Sequence, residues 1–207
     1  HIVLVDALRP DQTASHHPGE TVLRMADVAL IAKSDSATAA QVEVARNGIL
    51  RLRPDVPTVL GASPVTLADP EAVKGRRVLV VEDGPTITHG GMGFGAGTVA
   101  VRNLAAEIID PRPFAAPEIA AVYEKYPQIG AVLPAVGYAE VQRQALEETI
   151  NRSDAEIVVV ATPIDLGALL KIDKPVVRAR YDYADAGEPR LADFIDAFLR
   201  AVGLAGQ

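Results

Sequence analysis

At 207 residues, 49% of them hydrophobic, the chain is long enough to bury one large core or two smaller ones. Its formal charge of −7 and pI near 5.1 argue against a nucleic-acid or anionic-membrane binder. They leave small molecules or proteins as partners, with a local basic pocket for a small anion still compatible. The absence of cysteine excludes a disulfide framework and a thiolate zinc site.

No apolar run reaches the length of a membrane span, and the N-terminus lacks a basic, hydrophobic, small-residue signal pattern, so a cytoplasmic protein is expected. The chain opens on His1 and an apolar run without an initiator Met, as expected of a piece of a longer protein.

The first element is a strand over Ile2 to Asp6, followed by the polar loop Arg9 to Glu20. His16 and His17 stand there with Asp6, Asp11 and Glu20. Adjacent histidines on extended backbone point apart, so an anion held by Arg9 and one histidine fits better than a metal, with a solvated loop as the plain alternative. A helix is expected over Thr21 to Ala26 and a strand over Val28 to Ala32.

That strand runs into Lys33-Ser34-Asp35, and the stretch VALIAKSD resembles the base-recognition element of P-loop GTPases. In such proteins a lysine stem covers the purine and an aspartate accepts its hydrogens. A helix over Thr38 to Leu52 and a strand over Thr58 to Gly61 follow. The strand ends in Gly61-Ala62-Ser63, where such proteins place a short Ser/Ala turn near the base. The plain alternative is an ordinary strand end with a solvated Lys33 and a helix-capping Asp35. Ala32 stands where Asn is usual before the lysine, which weakens guanine selectivity.

The polar stretch Asp69 to Arg77 loses periodicity and reads as a linker. Beyond it, a strand over Val78 to Glu82 opens into a loop that holds six glycines between Gly84 and Gly97, beside Thr86, Thr88 and His89. Glycines let successive amides face one side, and the helix start that follows adds partial positive charge, so an anion is the expected ligand. The loop is not an ordinary P-loop, because Ala96 stands where G-x-x-x-x-G-K-[ST] needs lysine. The spelling Gly91-x-Gly93-x-x-Ala96 matches a dinucleotide fingerprint but lies eight residues beyond Asp83, too far for the usual tight turn.

The remaining elements are a helix over Ala96 to Ala106, strands over Glu107 to Asp110 and Ala131 to Pro134, and helices over Pro117 to Lys125 and Ala139 to Asn151. Strands over Ile157 to Ala161 and Val176 to Tyr181 and a helix over Leu191 to Val202 complete the chain. The strands are continuous in Val, Ile and Leu, the pattern of strands covered on both faces. A doubly wound, mostly parallel α/β architecture follows, and ligands are expected beyond the carboxyl ends of the strands. Asp110-Pro111-Arg112-Pro113, Leu133 to Tyr138, and Ala161 to Leu166 with Thr162 and Asp165 are strand-end turns. Arg178 and Arg180 alternate on the last strand and share a face.

The runs VLVVEDGPTITHGGMGFGAG, IIDPRPFA, YPQIGAVLPAVGY, ETIN, VVVATPIDL and KPVVRARYDY closely resemble the C-terminal part of the cyclic 2,3-diphosphoglycerate synthetase family, also described as predicted GTPases. DALRPDQTASHHPGETVLRMADVALIAKSDSA is similar to the segment that follows the P-loop half in that family. The resemblance implies that residues 1–75 are the C-terminal part of a P-loop NTPase-like domain. Residues 76–207 would be a second, Rossmann-like α/β domain that binds phosphate and substrate.

It further implies ATP-dependent closure of a phosphoanhydride between the two phosphates of 2,3-diphosphoglycerate, with Mg²⁺ and ATP or GTP. On this reading His89, Arg112 and Asp83 are catalytic, His89 relaying a proton or carrying a phosphoryl group. Thr88, Gly90, Gly91, Thr162, Arg178 and Arg180 bind substrate, Lys33, Asp35 and Ser63 bind the nucleotide, and Asp165, or Asp83, is the magnesium-side carboxylate. The implied partners are a phosphorylated metabolite and a nucleotide, with a homodimer possible and neither nucleic acid nor membrane. The alternatives are a GTPase or ATPase that acts on or loads a partner, and a non-catalytic phosphometabolite-binding module.

Overall fold

A computed structural model describes residues 1–13, 15, 17–105, 107–136 and 139–204. His16, and with it the two-histidine reading of the first loop, lies outside them, as do Gly137 and Tyr138. The chain forms two compact units, His1–Pro64 with Asp182–Gln207, and Val65–Tyr181.

In the first unit β1 (Ile2–Asp6) leads through a 3-10 turn at Pro10–Gln12 to α1 (Gly19–Arg24) and β2 (Val28–Ala32). Next is α2 (Ala39–Leu52), which starts where Thr38 forms a capping box. Its backbone N–H donates to Gln41 Oε1 (2.9 Å), and its hydroxyl accepts from Gln41 N (3.3 Å). The apolar stripe of α2, with Ala45 and Ile49 fully buried, packs on Val5, Ala29 and Ile31. A fully buried aliphatic side chain of this kind is worth about 1.5–3 kcal/mol. β3 (Thr58–Ala62) completes the parallel set β1-β2-β3, in which Ile2 pairs with Val28 and Ala29 with Thr58.

The chain crosses into the second unit at β4 (Val65–Leu67). The expected linker at Asp69 to Arg77 is instead ordered inside this unit. Asp69 accepts from Ala72 N (3.0 Å) and caps α3 (Pro70–Val73), and Arg77 already belongs to β5 (Arg77–Asp83). The compact units divide the chain at 64/65 and 181/182, whereas the resemblance implied one boundary at residue 75. Polarity and lost periodicity marked a capped turn, not a flexible connection.

After β5 come α4 (Gly84–Ile87), α5 (Ala96–Val101), β6 (Glu107–Ile108), a 3-10 turn at Arg112–Phe114, α6 (Pro117–Lys125), β7 (Leu133–Ala135), α7 (Glu140–Arg152), β8 (Ile157–Ala161), α8 (Leu166–Leu169) and β9 (Val176–Tyr181). The chain then returns to the first unit as β10 (Ala184–Asp185) and α9 (Leu191–Ala201).

β10 adds to β3 antiparallel, giving the order β1-β2-β3-β10. The second sheet has the order β4-β9-β8-β5, with β6 and β7 sharing the far edge of β5. Among the described residues only β4, against β9, is antiparallel in it. Val78, Leu79, Val80 and Val81 are all fully buried, which requires cover on both faces of the sheet, as the unbroken valine run implied. The architecture is α/β with mixed, mostly parallel sheets, consistent with a Rossmann-like or P-loop-like fold. Among the described residues no helix is long and apolar enough to cross a membrane.

Candidate functional site

At the carboxyl edge of the first sheet the strand ends bring Asp6, Lys33, Asp35 and Ser63 to one side. Lys33 adopts φ 60°, a left-handed conformation that costs a non-glycine residue about 1 kcal/mol or more. Its Nζ donates to Asp6 Oδ2 (2.8 Å), which also accepts from Arg9 Nε (3.0 Å) and Nη2 (2.9 Å). Burial pushes the Asp6 carboxyl up. Lys33, the Leu8 amide and Arg9 outweigh that and hold it below the ordinary aspartate range. Asp35 Oδ1 accepts from Ser63 N (2.9 Å), so the three expected nucleotide-side residues converge on one edge.

In the second unit the glycine loop does form an anion cradle, but the anion is internal. Glu82, 1% exposed, accepts from Gly95 N (3.0 Å), Thr98 N (2.8 Å) and Thr98 Oγ1 (2.9 Å) through Oε1, and from Gly97 N (3.1 Å) through Oε2. A Cβ on Gly95 would sit 2.5 Å from Glu82 Oε2, and one on Gly97 2.7 Å from Val80 Cγ1. Glycine is needed for close approach to the chain's own strand.

The amides of Gly90 and Gly91, expected to hold substrate phosphate, donate to Pro85 O (2.8 Å) and Thr88 O (3.1 Å). The amides of Gly90, Gly91, Gly95 and Gly97 thus close on the chain's own backbone and on Glu82.

Thr88 and His89 end the α4 turn. The buried Thr88 hydroxyl donates its single proton to Gly84 O (2.7 Å), so its 3.2 Å contact with His89 Nδ1 requires Nδ1–H to donate. Nε2 of a neutral His89 is then free to accept from Tyr126 OH at 3.1 Å. Gln128 Nε2 fixes the backbone below, donating to Ile87 O and Thr88 O, both at 3.1 Å. The result is an exposed imidazole with a defined tautomer and orientation. Glu82, Tyr126 and Gln128 were missed in sequence. The signal for the last two was the quoted run YPQIG, and Glu82 stood at the strand end.

Arg112 is engaged structurally. It donates through Nη1 to both Asp110 oxygens (3.1 and 3.0 Å) and through Nη2 to Ile129 O, and it lies 4.9 Å over the Tyr123 ring. Burial pushes the Tyr123 phenol up, and its OH donates to Val132 O (2.8 Å). These contacts brace the 3-10 turn where the sequence suggested a phosphate clamp.

Asp83 caps α4, its Oδ2 accepting from Thr86 N (3.3 Å) and Thr86 Oγ1 (2.8 Å). Asp165 caps α8, accepting from Ala168 N (3.3 Å), and stands 3.7 Å from Arg178 Nη1. Among the described residues no group of three or more His, Asp or Glu could hold a metal ion. Asp165, expected on the magnesium side, is engaged in capping and charge pairing.

Thr162 Oγ1, nearly buried, donates to Ile164 O (3.0 Å). Arg178 and Arg180 alternate with buried Val177 and Ala179, as expected. Arg178 Nη2 is 3.5 Å from Pro163 O, and its buried Nε has no hydrogen-bond partner. Arg180 is exposed opposite Thr66. A cleft at the carboxyl ends of β5, β7 and β8 is lined by Asp83, Arg143, Thr162 and apolar residues of the α7 and α8 segments.

No protein-family model matches the chain. It is 46% identical over 200 residues to arginine synthetase ArcE of Thermococcus kodakarensis, a match that covers 96% of this chain and 45% of that protein. The chain thus spans less than half the length of the curated relative it matches.

Proposed function

We propose that this chain is part of a nucleotide-driven synthetase that forms arginine. The observation that carries the reading is the 46% identity, over nearly the whole chain, to a protein named arginine synthetase. In this reading the first unit has P-loop NTPase-like character, and Lys33, Asp35 and Ser63 receive the base of ATP or GTP. Mg²⁺ arrives as the nucleotide's own counter-ion. The second unit takes the other substrate at the carboxyl ends of its strands, with His89 as the residue able to move a proton.

The order of the glycine, IIDPRP, YPQIG and KPVVRARYDY motifs favours a second reading, closure of cyclic 2,3-diphosphoglycerate. That reaction concentrates charge that amides and arginines must offset. The Gly90 and Gly91 amides and Arg112 are occupied within the chain, which leaves the arginine-forming reading the better fit.

The test uses the intact protein and runs the reaction backwards. With arginine, Mg²⁺, phosphate and ADP or GDP in water, arginine-dependent formation of nucleoside triphosphate is expected, as a guanidino C–N bond breaks, its carbon gains an oxygen and ammonia is released. No such formation, with a cyclic phosphoanhydride seen by phosphorus NMR from 2,3-diphosphoglycerate and ATP, would establish the second reading instead. Nucleotide hydrolysis with neither product would indicate a hydrolase acting on a partner. Ligand stabilisation without nucleotide consumption would indicate a binding module.

A further inference from the structure

We infer that the cleft at the carboxyl ends of β5, β7 and β8 seats a zwitterionic amino acid by its carboxylate and aliphatic stem. This rests on the synthetase reading above, and it assigns a place to the second substrate. The cleft is small, about 60 Å³, and lies wholly within the second unit. Its polar groups are few and of opposite sign: the Arg143 guanidinium, the Asp83 carboxylate and the Thr162 hydroxyl. Its walls are Leu146, Leu166 and Leu169 among other apolar residues. Its lining, largely apolar with a few polar groups, has the chemistry of a small-ligand site, in a volume that admits only part of a ligand.

Each polar group is held so that part of it remains for a ligand. Asp83 uses Oδ2 to cap α4, and Oδ1 is the oxygen that can meet a cation. Arg143 Nη2 donates to the exposed Glu140, and a guanidinium carries five donors in a planar fork suited to carboxylates. Thr162 gives its proton to Ile164 O (3.0 Å), so its oxygen presents lone pairs only. One cation, one anion and an acceptor match a ligand that is itself a zwitterion. A bisphosphate would bring several negative charges to a cleft that holds Asp83 and a single arginine, and the charge count rejects it.

The walls agree with this class. Ile164 is 48% and Leu169 54% exposed at the cleft, more than the buried interior of the same loop needs. A methylene stem laid along them would remove that apolar surface from water. The volume suits a stem of a few carbons, with the rest of the ligand projecting outward.

The test measures calorimetric affinity of the intact protein for arginine, for agmatine, which lacks the carboxylate, and for 2,3-diphosphoglycerate. Arginine should bind more tightly than both. Arg143→Gln should weaken arginine at least about tenfold, the equivalent of one charge-assisted hydrogen bond, and leave agmatine unchanged. Asp83→Asn, which keeps a capping oxygen, should weaken arginine and agmatine alike. Leu169→Asp, at an exposed position where folding is safe, should weaken arginine by the same order.

Unchanged arginine affinity in Arg143→Gln and Leu169→Asp would overturn the site, as would tighter binding of 2,3-diphosphoglycerate lost in Arg143→Gln. If the protein forms arginine and these variants bind normally, the site falls and the synthetase reading stands. Arginine binding that depends on Arg143 without any arginine-linked nucleotide turnover leaves the site standing and overturns the reading.

Discussion

Glu82 Oε1 accepts from Gly95 N at 3.0 Å and its Oε2 from Gly97 N at 3.1 Å, so a carboxylate at the end of β5 fills the amides that open α5. Thr98 contributes two further donors. All four are N–H or O–H groups, and an amide in place of the carboxylate would turn an NH₂ towards them. Glu82→Gln should therefore cost about 2–4 kcal/mol of stability. Urea unfolding of the intact protein, with an unchanged m-value, measures it.

The glycine at 97 is required by packing. An added Cβ would meet Val80 Cγ1 at 2.7 Å and Ala161 Cβ at 3.0 Å, both on strands that cannot retreat. Gly97→Ala should destabilise by about 1–3 kcal/mol through overpacking. Gly91 has φ 68° with no atom near its would-be Cβ. Gly91→Ala should cost about 1 kcal/mol from backbone conformation alone. Thermal unfolding of the two variants separates steric from conformational demand.

Arg112 joins Asp110, Ile129 O and the Tyr123 face. If this is its role, Arg112→Ala lowers stability by about 1–2 kcal/mol, while turnover per folded molecule stays within about twofold of the parent. A phosphate clamp predicts the reverse, intact stability with turnover down by about tenfold or more. Denaturation and steady-state kinetics on the same preparation distinguish the two.

These residues show which parts of the chain were legible. Val78 to Val81 and Ile157 to Ala161 announced buried parallel strands because an unbroken β-branched run has no exposed face to serve. That Lys33, Asp35 and Ser63 share an edge was legible because Lys33 and Ser63 follow strands directly and Asp35 stands three positions beyond β2, and parallel strands place such residues on one edge. Glu82 was not found as the loop's anion because a strand-end carboxylate reads the same whether it faces a ligand or a neighbouring loop. β4 and β10, three and two residues long, carry too little pattern to register. The return of the chain at Asp182 into the first unit depends on Leu191 and Phe194 packing over Val28, Leu30 and Val59. No local window contains that contact.

His89 is oriented from both sides, by Thr88 Oγ1 at 3.2 Å and Tyr126 OH at 3.1 Å. As the proton-moving group of the proposed synthetase, His89→Gln should lower kcat by about 100-fold or more. Being exposed, it should change stability by well under about 1 kcal/mol. Tyr126→Phe removes the donor to Nε2 and should lower kcat by only a few-fold. Equal kcat in the parent and His89→Gln would remove His89 from the chemistry.

Asp6 gives the acid limit of the first unit. Its folded pKa lies below the ordinary value of 3.8, so the unfolded chain binds the proton more readily than the folded one. The stabilisation is complete above about pH 4–5 and is lost as pH falls through 3.8 towards the folded value. Lys33 is the chief lowering partner, with a 2.8 Å contact. Lys33→Met should therefore reduce stability at pH 7 and flatten its fall between pH 5 and pH 3. Urea midpoints across that range decide the matter, and a Lys33→Met slope equal to the parent's would show that Asp6 is held by other groups.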